Sequence, residues 1–170
     1  MQPILDAYYD TILASMSDKP LPASAPCDIE ARPFVTLPEG GDTLSAPISG
    51  KVPANPFGLT AIAARMGEDG LVLTLTGATD TADIICGHGC WEYNDIAHCP
   101  ITPGGFLGAL SIGTKARIAA AYAVEDGSVK VTLQFVSLPH GMKLELGCES
   151  VTIVKTLDRV SGNKTELRFE

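Results

Sequence analysis

Val129-Lys130-Val131-Thr132-Leu133-Gln134-Phe135, followed by Met142-Lys143-Leu144-Glu145-Leu146-Gly147-Cys148, decides the fold of this chain. Apolar and polar side chains alternate strictly in both runs. A period of two places one set in a core and the other in water, which is the signature of a half-buried strand. Pro139-His140-Gly141 between the two runs is a turn. Strands joined by so short a link must be antiparallel neighbours.

The pattern extends outward from this pair. Strands are predicted over 47–54, 59–66, 71–77, 82–93, 107–112, 116–125, 128–138, 142–148 and 150–157, with a last one over 165–170. Glu68-Asp69-Gly70 and Glu125-Asp126-Gly127 are hairpin signals, because Asp-Gly accepts the positive φ of a tight primed turn. Ser161-Gly162-Asn163 marks another turn. The expected architecture is all-β: an antiparallel up-and-down, lipocalin-like barrel of about eight strands, closed so that no long edge is left exposed. This domain is expected to occupy residues 45–170. Residues 1–44 precede it as a short helix and a Pro-rich connector. Ile4, Tyr8 and Ile12, with Leu5, Tyr9 and Leu13, form one apolar helical stripe over 3–16. Pro20 and Pro22 end it.

The 170 residues suffice for one sizeable core. A formal charge of −8 and no Lys/Arg cluster argue against a nucleic-acid surface and against anionic membranes. No apolar run approaches the roughly 18 residues of a membrane span. The odd count of five cysteines (Cys27, Cys86, Cys90, Cys99 and Cys148) points to reduced thiols and a cytoplasmic setting.

Several constellations bear on chemistry. Cys86, His88 and Cys90 fall on one face if the strand runs through them, and His98 or Cys99 would complete a tetrahedral metal set. The one-residue spacing is unlike that of structural zinc sites, and buried small thiols with a rim histidine explain the same residues. No metal or other cofactor is therefore expected. Ser161-Gly162-Asn163-Lys164 has a Ser-x-x-Lys spacing but lies in a turn, where a solvated role is favoured. Paired carboxylates sit at turns and strand ends. Trp91 and Tyr93 are expected to face the barrel interior, either as core aromatics capping one end or as a ligand-stacking surface at its mouth.

The order Ile48-Ser49-Gly50-Lys51-Val52, Asn55 and Gly58, the strand Gly70-Leu71-Val72-Leu73-Thr74-Leu75, the Gly87-x-Gly89-x-Trp91 element with Glu92, and Leu133 to Gly141 resemble the C-terminal β domain of many bacterial serine hydrolases of the β-lactamase/penicillin-binding-protein type. Leu21-Pro22 is similar to the connector that leaves their catalytic domain. The resemblance implies a lipocalin-like barrel that is no enzyme by itself and packs on or covers a catalytic serine-hydrolase domain. That partner belongs to the same polypeptide or to a neighbouring gene. No catalytic residue of the family carries over, since Lys115 follows Gly113-Thr114 in the wrong order for the Lys-Thr-Gly element. Trp91, Tyr93 and His140 are the candidates for contact with the partner domain or a ligand, together with the Gly/Pro-rich loop 99–110. The alternative function is a stand-alone binder of a small apolar ligand.

Overall fold

The computed structural model describes residues 36–101, 116–136, 141–155 and 164–170. The expected helix over 3–16, the expected strand over 107–112, Cys27, His140 and most of the 99–110 loop lie outside the described residues. What is described is all-β. Ten strands are described: β1 (Ile48–Lys51), β2 (Leu59–Met66), β3 (Leu71–Gly77), β4 (Thr81–His88), β5 (Glu92–Ile96), β6 (Ala116–Glu125), β7 (Ser128–Phe135), β8 (Gly141–Leu146), β9 (Ser150–Lys155) and β10 (Lys164–Arg168). They form one strongly curled sheet in the order β1-β2-β3-β4-β6-β7-β8-β9-β10, with β5 pairing β6 off this path.

The turns explain the register. At Asp126-Gly127 both central residues have positive φ, 50° and 77°, as a primed turn demands, and Glu125 pairs directly with Ser128. Gly67 N–H bonds Gly70 C=O at 2.7 Å to close the β2–β3 turn, and Gly70 stands at φ 135°. Asn55 organises the β1–β2 link. Its side-chain oxygen accepts from the Phe57 and Leu59 N–H groups, while its amide donates to the Pro53 and Leu59 carbonyls.

Alternation holds along most strands. Val129, Val131, Leu133 and Phe135 point inward beside Met142, Leu144 and Leu146. Ile62, Leu71, Leu73, Leu75, Ile84 and Ile118 complete an interior filled by apolar side chains that are almost wholly buried. The packed unit also takes in residues ahead of the expected boundary at 45. Leu44 belongs to the core, and Gly41 exchanges two 2.8 Å backbone hydrogen bonds with Val124.

The single predicted strand over 82–93 is two strands. β4 stops at His88 and the chain reverses at Gly89, whose φ is +66°. β5 then returns antiparallel along β6, from Glu92 opposite Ala120 to Ile96 opposite Ala116. The end of β4 lies parallel to the next part of the same edge, Gly87 opposite Ala121 and His88 opposite Tyr122. Gly41 takes the position after that. The free edge of β6 is thus served in succession by β5, β4 and Gly41, while β7 covers its other edge. Among the described residues this is the departure from a simple meander.

β6 can accept so many neighbours because of its small residues. Ala120 joins the core, whereas Ala119, Ala121 and Ala123 are buried on the opposite, outer face. A strand buried on both faces loses its alternation and reads as a continuous apolar run.

The ends of the sheet approach each other. Glu170 N–H donates to Lys51 C=O at 3.0 Å, and Phe169 lies where a Cβ on Gly50 would overlap its ring. Substitution Gly50→Ala should therefore lower stability by about 1–3 kcal/mol, the usual cost of an overpacked contact. Gly50→Ala combined with Phe169→Ala should lose less than the sum of the two single changes. Urea denaturation of the three variants checks this, and strict additivity would show that the two residues do not touch.

Candidate functional site

The segment Ile84 to Ile96 gathers most of the residues singled out by type, and the break at His88–Glu92 decides where each one points. Cys86 is the last inward residue of β4. It is fully buried, its thiol facing Ile84 C=O at 3.7 Å. Burial pushes this thiol up from 9.0 to about 12, with a smaller opposing effect from a backbone hydrogen bond at Leu73. Cys90 lies beyond the reversal. A Cβ on Gly87 would meet Cys90 Sγ at 2.7 Å, so Cys90 folds back over the outer face of β4, away from Cys86. Only glycine at 87 leaves room for it.

His88 is exposed and faces neither thiol as a co-ligand. Its ring rests against Tyr122, with centroids 5.7 Å apart, and its Nε2 lies 3.2 Å from Gly40 C=O. Tyr122 in turn donates its hydroxyl hydrogen to Asp42 C=O at 2.7 Å. Burial pushes the Tyr122 phenol up from its ordinary value, and the Asp42 carboxylate adds to the effect. His88 and Tyr122 therefore pin residues 40–42 beside β6. His98 is exposed in the bend after β5. Cys99 is half-buried against the core, and burial raises its thiol too, partly opposed by a backbone hydrogen bond at Ile101.

The expectation that Cys86, His88 and Cys90 share a face fails because the strand ends between His88 and Cys90. Among the described residues, no three His, Cys, Asp or Glu side chains converge as a metal would need.

Trp91 is half-buried in the link between β4 and β5. Tyr93 does not face the interior as its position after the glycines suggests. It is 60% exposed on the outer face of β5. The reversal at Gly89 resets the alternation, so parity counted from β4 no longer applies in β5. The Arg117 guanidinium lies over the Tyr93 ring, 5.4 Å from its centroid, and approaches Asp95 at 4.0 Å. Val136, half exposed, sits across from Arg117 through the bond from its N–H to Arg117 C=O. Tyr93, Arg117 and Val136 thus form one outer patch spanning β5, β6 and the end of β7.

Asn94 is the residue that sequence alone does not mark. Its side-chain oxygen accepts from Ile85 N–H and its amide donates to Ile85 C=O, both at 2.8 Å. The carboxamide occupies the place of a peptide group in the ladder and ties the diverging strands β4 and β5 together. An Asn at the third position of a short strand after a Gly-rich reversal was the available signal, but its partner lies nine residues back and is set by the reversal.

No protein-family model matches this chain, and no curated protein or solved structure matches it. The resemblance to serine-hydrolase accessory domains rests on sequence motifs alone.

Two outcomes follow from the geometry. Asn94→Ala removes both Ile85 bonds at a site that water reaches, so it should cost about 0.5–1.5 kcal/mol and speed amide exchange at Ile85. Exchange measured by NMR checks this, and unchanged protection at Ile85 would refute the bridging role. For Cys86, the folded state holds the proton more tightly than the unfolded chain. Stability should then fall as pH rises from about 9 toward about 12. Cys86→Ala should flatten that decline in denaturation curves taken across the same range.

Proposed function

We propose that this chain is an accessory β-barrel domain of a serine-hydrolase-like protein, not catalytic by itself, which docks on a catalytic domain through its outer surface. The observation that carries this reading is the patch of Tyr93, Arg117 and Val136. An exposed aromatic ring with an arginine stacked on it, next to an exposed aliphatic side chain, is the composition favoured at the centre of protein interfaces. The patch stands on paired strands, so it is held rigid before any partner arrives.

The densely packed interior supports a scaffold more than an internal apolar ligand. Cys86, Cys90, Cys99 and Cys148 all carry free thiols, which supports a reducing, cytoplasmic setting. No helix among the described residues is long and apolar enough to cross a membrane.

The purified chain should not turn over nitrocefin or p-nitrophenyl esters. It should bind the serine-hydrolase domain encoded beside it. Tyr93→Ser with Val136→Ser should weaken that binding by at least about tenfold, as removal of interface anchors does. Calorimetry and steady-state assays read both quantities. Turnover by the isolated chain, or binding indifferent to the double substitution, would overturn the reading.

A further inference from the structure

A second surface lies on the outer face of β7, β8 and β9. Residues 36–39 run above these strands and leave a groove of about 470 Å³ between themselves and the sheet. That volume is within the usual range for small-molecule sites. Thr132 forms part of its floor. Its neighbours Val131 and Leu133 point into the core, so Thr132 points outward, yet it is only 3% exposed. Its side chain faces the groove and lines it.

Register defines what surrounds it. Lys143 is directly opposite Thr132, and Glu145 is directly opposite Lys130. All four project from the outer face and line the groove. Lys130 is engaged by Glu125, to which its ammonium donates. Lys143 and Glu145 form no ion pair within 4.0 Å among the described residues; the Glu145 charge acts across the strands on Lys130, and Glu39 adds a further carboxylate to the lining. The floor therefore presents a hydroxyl and an ammonium at one point and a carboxylate at the next outward position. Two residues along a strand separate these points by roughly 7 Å. Leu37 and Pro38 supply an apolar wall.

We propose that this groove binds a small zwitterion of the short-peptide class. Its carboxylate is held by Lys143 and the Thr132 hydroxyl. Its ammonium is held by Glu145, and its side chains lie against Leu37 and Pro38. The charges of a dipeptide with free ends have about the same spacing as the two outward positions, since each extended residue spans roughly 3.3–3.6 Å. An ammonium and a hydroxyl converging on one carboxylate make charge-assisted hydrogen bonds, stronger than neutral ones.

The test is a titration of the full chain followed by amide chemical shifts, with alanyl-leucine as the probe. Its N-acetylated and C-amidated forms serve as blocked controls. Saturable shifts are expected at Thr132, Lys143 and Glu145. Amidation of the probe, Lys143→Gln or Thr132→Val should each weaken binding about tenfold, the loss expected for one charge-assisted hydrogen bond. Acetylation of the probe and Glu145→Gln should act similarly on the ammonium side. Lys51→Gln, on β1 away from the groove, should leave binding unchanged. Thr132→Val keeps the shape of the side chain, so the fold should persist. Should it not, Lys143→Gln at an exposed position decides the matter. Absence of saturable shifts up to about 10 mM probe, a range that covers weak millimolar binding, would overturn the proposal. Equal binding of the blocked forms would overturn it as well.

Discussion

The two edges of β6 must both be satisfied, and the rest of the barrel is arranged around that requirement. Buried N–H and C=O groups left without partners are costly, so a strand buried on both faces needs a neighbour along its full length. β7 supplies one side continuously. The other side is met piecewise by β5, the end of β4 and Gly41. Alanine at 119, 120, 121 and 123 keeps the strand slim enough for three segments to close on it. The strap at 40–42 is then part of the sheet, and His88 and Tyr122 hold it there.

This piecewise edge creates the corner that separates the two faces of the Cys/His segment. Because β4 and β5 diverge from a shared reversal, a side-chain amide has to stand in for a missing backbone pairing. Asn94 does so with paired 2.8 Å bonds to Ile85. The same reversal sends Cys86 into the core and Cys90 to the surface, and it turns Tyr93 outward under Arg117. A cluster that looks like a ligand set in one dimension is dispersed by a single glycine at φ +66°.

The chain's outer surface carries two chemically different regions. The Tyr93 patch joins an aromatic ring, a stacked guanidinium and an aliphatic side chain on the β5–β6 side. The groove beneath 36–39 is charged and hydrogen-bonding and lies over β7 to β9. The filled interior serves both by holding the strands rigid. Side chains such as Leu73, Leu133 and Leu144 are exposed by 2% or less, which fixes the register on which the outward residues depend.

The all-β class, the positions of most strands, and the turns at Gly70 and Asp126-Gly127 were determined by the sequence, because strand period and turn chemistry are local properties. Alternation read inside one strand also held, as Val129 to Phe135 show. Only the tertiary structure decided the division of 82–93 into two strands, the parallel contact of β4 with β6, and the outward turn of Tyr93. Each of these depends on which segments share the free edge of β6, and that pairing joins residues far apart in the chain. Asn94, Arg117 and Thr132 likewise acquire meaning only from neighbours across the sheet, which no local pattern encodes.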